Sequence, residues 1–223
     1  MEERQKQLNI LILGAGFGGI CTAKYLLKLT RKIPNVKITI IDRNTYHFFT
    51  PLLQEVATAS IHSDHIKRPL RILFKGENVE FQHGEIEEID LKNQTVEICT
   101  NCTNRDNPPK YDQYTYINMA DFILDRRQTL QYDYLVLAMG SHPNFFGITG
   151  ADEYSYTLSS IKDSEEIKSR TLECFELANQ TNNLKLKKEL LTFVVIGAGA
   201  TGTEYIVELH DLCKNVLAED LSS

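Results

Sequence analysis

Two short glycine clusters carry the chemistry that the residues of this chain can do. The first is Gly14-Ala15-Gly16-Phe17-Gly18-Gly19. An apolar run over residues 8–13 precedes it, and a helical pattern over 20–29 follows. Glycine at these spacings lets backbone come close to a pyrophosphate. Gly14 permits the tight turn, Gly16 leaves space where a Cβ would stand, and Gly19 lets the helix pack close to the strand. The helix N-terminus then offers N–H groups and positive dipole to the anion. A second strand pattern, residues 36–41, ends in Asp42. An acid about 20 residues beyond the glycines accepts hydrogen bonds from a ribose 2′-hydroxyl and repels a 2′-phosphate. The glycines alone would suit a turn in another α/β protein. Strand, glycines, helix, strand and acid in this order specify a dinucleotide-binding fold.

The fingerprint occurs twice. Leu191-Thr-Phe-Val-Val-Ile196 reads as a strand running into Gly197-Ala-Gly199-Ala-Thr201-Gly202, with a helix from Thr203 past Leu212. The copies lie too far apart for a solenoid repeat. They suit two nucleotide-binding domains, hence a flavoprotein with FAD on the first and NAD(P) on the second. The expected fold is α/β: a Rossmann-like FAD domain over 1–147, with a parallel sheet and an antiparallel β excursion, then the beginning of a Rossmann-like NAD domain over 148–223. Little chain follows Gly202 before Ser223. The strand bearing the second ribose acid is expected beyond it, so the polypeptide reads as a truncated piece, weakly active or inactive alone.

The elements that must position these clusters follow from pattern. A prior of about 150 residues per domain allows one or two domains in 223 residues. Apolar content of 42% and charged content of 24% are ordinary for a globular chain. A net charge of −6 without a basic run argues against a nucleic-acid surface. No apolar stretch approaches the ~20 residues of a membrane helix, and the polar start has no signal-peptide core. Five cysteines, an odd number without regular spacing, suggest free thiols in a reducing compartment.

Thr50-Pro51 suits a helix start, with Leu52, Leu53, Val56 and Ala57 at helical spacing. Ile66, Leu70, Leu73 and Phe74 form a second apolar pattern, which Pro69 keeps from becoming regular earlier. Stretches 79–82, 85–89 and 95–99 read as short strands of an antiparallel piece, with the turn at 90–93. Residues 100–131 read as a long hairpin excursion, too aromatic for plain disorder. Residues 132–140 read as a buried strand ending in a glycine turn, and 143–152 as the interdomain linker. Ile161–Gln180 reads as an amphipathic helix with Ile161, Ile167, Leu172, Phe175 and Leu177 on its apolar face.

Longer signatures surround the glycines: Tyr46-His-x-Phe-x-Pro51-Leu-Leu-x-Glu-Val-Ala57, Asp133-Tyr-Leu-Val-Leu-Ala-Met-Gly140, and Glu204 two positions after Gly202. With the two fingerprints, they make the chain resemble the two-dinucleotide-binding-domain flavoproteins, most of all the type II NADH:quinone oxidoreductases. The resemblance spans nearly the whole chain apart from the insert after Cys99. It implies that FAD is held by Gly14, Ala15, Gly16, Phe17, Gly18, Gly19, Asp42 and Arg43. It adds Thr50, Pro51, Ile86, Ala138 and Gly140 on the flavin side. NAD falls to Gly197, Gly199, Thr201 and Gly202, and Glu204 lies near flavin and nicotinamide as the catalytic residue. Met139 stands where the family usually has Thr, a departure that backbone contacts tolerate. The implied reaction passes a hydride from NADH to the flavin and two electrons on to a quinone, with no metal. The implied protein is a respiratory-chain enzyme peripheral to the cytoplasmic side of the cell membrane. Its membrane contact would come only through a C-terminal region beyond this chain, which alone would be cytoplasmic. The resemblance allows a homodimer and involves no nucleic acid.

Other readings compete. The chain could be a non-catalytic fragment, or belong to a disulfide or sulfide oxidoreductase branch. That branch needs a cysteine pair beside the flavin, and Cys21 and Cys174 have no partner at redox spacing. Cys99 and Cys102 lack a second ligand pair for zinc and read as two loop thiols. His62 and His65 read as a surface pair, Glu55 as either solvated or flavin-side, and His47 as either structural or flavin-side within its motif. Glu85, Glu87, Glu88 and Asp90 read as a solvated strand face.

Overall fold

The computed structural model describes residues 6–100 and 126–214. In chain order the first elements are β1 (Leu8–Leu13), α1 (Phe17–Thr30), β2 (Val36–Asp42), β3 (Tyr46–Phe48) and α2 (Leu53–Ala57). Next come β4 (Lys67–Pro69), α3 (Leu70–Leu73), β5 (Val79–His83), β6 (Glu85–Asp90), β7 (Thr95–Thr100), β8 (Arg126–Gln131) and β9 (Tyr134–Leu137). The helices α4 (Ala151–Tyr154), α5 (Ile161–Gln180), α6 (Leu184–Leu190) and α7 (Ala200–Leu212) follow. The chain packs as two compact units, Met1–His47 with Arg68–Gly140, and Phe48–Lys67 with Ser141–Ser223. No single cut divides them, because α2 packs on α5 and α7.

The first unit is built on a four-stranded parallel sheet of order β5-β2-β1-β9. Alternate residues of β1 and β2 face opposite ways. Ile10, Ile12, Ile38 and Ile40 pack with Ile20 and Ala23 of α1 and with Leu70 and Phe74. Leu11, Leu13 and Ile41 pack on the other side with Val96, Ile98 and Tyr132. Burial on both faces explains the near-continuous apolar runs. Two expectations change here. Stretch 79–82 joins the parallel sheet rather than the antiparallel piece, because Val79 and Phe81 complete the α1-side core. β9 is an edge strand rather than a buried one among the described residues, leaving Tyr134 and Leu137 61% and 60% exposed.

The antiparallel sheet, β6-β7-β8, resolves a parity problem. Ile86 and Ile89 stand three apart, so a regular strand would turn them to opposite faces. A register shift between Ile86 and Glu88 lets both pack against the second core, as a bulge does. The Asp90 carboxylate closes the expected turn, accepting from the Lys92 and Asn93 N–H groups and from Asn93 Nδ2. The Asn93 bonds hold its pKa below the usual range. β8 returns along β7 with Arg126 opposite Thr100; the body of the expected excursion lies outside the described residues. Cys99 is corrected as well. It is buried within β7 and disulfide-bonded, not a loop thiol; Cys102 lies outside the described residues.

In the second unit, a 3-10 turn (Thr50–Leu52) opens α2 with Pro51 in its first turn. Gln54 Nε2 donates to the Pro51 carbonyl at 2.6 Å, and Leu53, Val56 and Ala57 are buried. The buried stripe of α5 is Ile161, Ser164, Thr171, Cys174, Phe175 and Ala178. Leu172 and Leu177 are exposed instead: they fall off a stripe whose small residues let neighbours approach closely. Residues 191–196, expected as a strand, form none. No described segment offers them a ladder, and Val194 and Ile196 are 79% and 74% exposed. No helix among the described residues is long and apolar enough to cross a membrane.

Candidate functional site

The first glycine turn is held from below and from the side. β1 delivers the chain to Gly14, whose N–H donates to Ile41 O at 2.7 Å and whose φ is +100°. A Cβ there would meet the Ala138 carbonyl; a Cβ at Gly19 would meet the Gly14 carbonyl. At Gly16 a Cβ would meet nothing within 4 Å. Two glycines are therefore demanded by the protein's own backbone, and the third leaves an open seat.

Side chains pin the residue between them. Asp42 Oδ2 accepts from the Ala15 N–H at 2.6 Å, and Oδ1 accepts from the Asn44 N–H at 2.7 Å. A carboxylate oxygen has two lone pairs, so Oδ2 keeps an acceptor direction for a sugar hydroxyl. His47 Nδ1 lies 3.2 Å from Ala15 O. Ala138 bonds to Leu13 O at 2.8 Å through its N–H, and its methyl group lies 3.9 Å from a Cβ built at Gly18.

Other expected positions stand apart from this cluster. The Arg43 side chain turns to Glu85 at 3.8 Å, and its carbonyl is bonded to His83 Nε2 at 2.9 Å. The Ile86 side chain packs into the second core. Gly140 follows β9 with φ +79°. Thr50 and Pro51 are exposed in the second unit.

The second turn repeats the first. Gly197 has φ +105°. Gly16 and Gly199 sit at φ −74° and −73°, each preceding its helix. Gly202 crowds the Gly197 carbonyl as Gly19 crowds that of Gly14. The first helical bonds, Ile20 N–H to Gly16 O and Thr203 N–H to Gly199 O, are both 3.0 Å. Neither α1 nor α7 has a side-chain N-cap or an acid in its first turn. Helix α5 differs: Ser160 caps it, and Asp163 sits in its first turn. Burial alone would raise the Asp163 pKa, but bonds from Ser159, Ser160 and Thr157 hold it low. An uncapped N-terminus suits an external anion, which the Gly16 and Gly199 seats leave room to enter.

Glu204 is exposed on α7, in the unit that contains Thr50 and Pro51. Glu208, one turn on and on the same helix face, accepts from Ser60 Oγ at 3.3 Å. Tyr205 anchors that helix: burial raises its pKa, against a hydrogen bond with Thr171 of α5.

Among the described residues, Cys21, Cys174 and Cys213 are free, and burial pushes the Cys213 thiol up, away from a reactive thiolate. No group of three or more His, Cys, Asp or Glu there could hold a metal. His62 and His65 are exposed, their rings 6.3 Å apart. Glu55 is half-buried on α2. The sequence puts His47 in the flavin-side segment without choosing between a structural and a flavin-side role. Its only signal is its place in the Tyr46-His motif.

Residues 8–222 match the pyridine nucleotide-disulphide oxidoreductase family. The type II NADH:quinone oxidoreductase Ndh of Mycobacterium tuberculosis is 32% identical over 94% of this chain and 39% of its own length. The mitochondrial external alternative NAD(P)H-ubiquinone oxidoreductase B4 of Arabidopsis thaliana is 29% identical over 96% of this chain and 33% of its own length. The solved structure of NDH2 from Plasmodium falciparum in complex with NADH superposes with a TM-score of 0.74 at 25% identity, over 96% of this chain and 39% of that one. The chain thus spans a third to two-fifths of the length of these relatives.

Proposed function

The chain belongs to the pyridine nucleotide-disulphide oxidoreductase family, and from that premise we propose that the whole protein is a type II NADH:quinone oxidoreductase. The observation that carries the reading is the pair of matching glycine turns, one in each unit, each opening an uncapped helix. FAD is assigned to the Gly14 turn and NADH to the Gly197 turn. Bound FAD would supply the redox chemistry, accepting a hydride from NADH and delivering two electrons to a quinone.

The chain's own residues bind and orient. Gly14, Gly16 and Gly19 form the turn that receives the FAD pyrophosphate, with N–H groups of Gly16, Phe17 and Gly18 around it, while Ala15, whose N–H is held by Asp42, belongs to the same turn. Asp42 reads the adenosine ribose, Ala138 lines the far side of the turn, and Gly140 after β9 joins the flavin-side set. Arg43, Thr50, Pro51 and Ile86 complete the flavin-side set. Gly197, Gly199, Thr201 and Gly202 receive the NADH pyrophosphate, and Glu204 is the catalytic residue near nicotinamide and flavin. Peripheral attachment to the cytoplasmic face of a membrane and a homodimer belong to the same proposal.

Replacing Asp42 with alanine tests the ribose reading. The substitution removes the acceptor of the Ala15 N–H as well as the sugar contact. A charged hydrogen bond contributes roughly 1.5–3 kcal/mol, so FAD affinity is expected to fall about tenfold or more, measured by flavin fluorescence titration. Unchanged affinity takes Asp42 out of the site.

The overall reading is tested by NADH-dependent reduction of a quinone analogue, followed by absorbance in the whole protein. Wild type is expected to turn over. Glu204→Ala is expected to slow turnover at least about tenfold, a 1.4 kcal/mol effect, while FAD content stays near wild type. A protein that carries FAD but ignores both NADH and quinone belongs to another branch of the family.

A further inference from the structure

Ala15 is 3% exposed, and its peptide groups are engaged from both sides. Its N–H donates to Asp42 Oδ2, and its carbonyl oxygen lies 3.2 Å from His47 Nδ1. A carbonyl oxygen can only accept, so this bond requires the proton on Nδ1. The imidazole is itself oriented: the Phe17 ring meets it edge-on, with centroids 4.9 Å apart and planes at 89°. Phe17 and Ala15 flank Gly16, so the histidine touches the turn on both sides of its open seat.

The consequence is geometric. The Ala15 carbonyl and the Gly16 N–H share one planar trans peptide and point in opposite directions. Fixing the oxygen therefore fixes the N–H. Glycine itself supplies no such restraint, since it has the widest choice of backbone conformations of any residue. An anion-binding N–H at this position needs a brace from outside the turn.

We propose that His47 is a positioning residue of the dinucleotide turn, aiming the Gly16 N–H at the pyrophosphate through the bond from Nδ1 to the Ala15 carbonyl. The inference rests on the assignment of FAD to this turn. It adds a role for a residue outside the glycine fingerprint and the ribose acid.

The test uses the whole protein with three versions of position 47. His47→Phe keeps an aromatic ring against Phe17 but has no donor. His47→Asn restores a donor, because an asparagine amide can occupy the place of Nδ1. FAD dissociation constants are measured by flavin fluorescence, and melting of the FAD-free protein is measured alongside. His47→Phe is expected to weaken FAD about tenfold, equivalent to 1.4 kcal/mol. His47→Asn is expected to recover most of that loss, with the FAD-free melting temperature of both variants matching wild type. The proposal is overturned if His47→Phe binds FAD like wild type, if His47→Asn is as weak as His47→Phe, or if affinity falls only in step with melting. A wild-type protein that retains no FAD would instead overturn the functional assignment, so the two failures separate.

Discussion

Gly16→Val is expected to empty the protein of flavin without unfolding it. A Cβ on Gly16 would meet nothing within 4 Å beyond its adjoining backbone, so an added side chain begins in open space. The backbone there, at φ −74° and ψ −168°, is extended conformation that valine adopts readily. Weaker capping of α1 costs about 1 kcal/mol. A branched side chain would then stand where the pyrophosphate must lie, and a steric block of that kind is not relieved by relaxation of a flexible tip. The purified variant should be colourless, with the circular dichroism of FAD-free wild type and a melting temperature lowered by only the few degrees that the capping cost implies. Full flavin occupancy would reduce the fingerprint to a structural turn, and an unfolded variant would refute the steric reasoning.

Gly19→Ala is expected to do the reverse, damaging the fold before any ligand is considered. Its Cβ would overlap the Gly14 carbonyl, which is backbone and has nowhere to swing. Relief requires α1 to lift from β1, opening the core between Ile12 and Ile20. Overpacking of this kind costs about 1–3 kcal/mol and occasionally more, and a backbone collision belongs at the upper end. Denaturant unfolding of FAD-free protein measures it. A variant as stable as wild type would mean that the close helix–strand approach is not required. Together the two glycines separate ligand space from protein space, a distinction that residue type alone does not make.

What the sequence made legible was local. Leu8–Leu13, the glycines and the pattern to Leu29 spell a strand, turn and helix with few alternatives, because Gly14 and Gly19 each answer one steric demand of the backbone. Asp42 is readable from its distance to the glycines, and Pro51 from the missing N–H that suits a first helical turn. Pattern becomes ambiguous where neighbours decide. Residues 79–82 alternate like any half-buried strand, and only pairing with β2 makes them part of the parallel sheet. Residues 191–196 are apolar enough for a strand, but an apolar run needs a ladder to become one. The Ile86–Ile89 parity break could be read as an oddity, though not as the bulge that resolves it. His47 was hidden for a different reason. Its partner is a backbone carbonyl far away in the sequence, and backbone carbonyls carry no sequence signature.

The Gly197 turn keeps the shape of the Gly14 turn although the segment leading into it forms no strand. Such a shape is written into six residues and the helix they open, by the collision that Gly202 would make with the Gly197 carbonyl if it bore a side chain. A motif that needs so little scaffolding is a transferable part. Copied into a new stretch of chain, it brings the proposed phosphate seat with it, and what remains to evolve around it is the choice of sugar, base and redox partner.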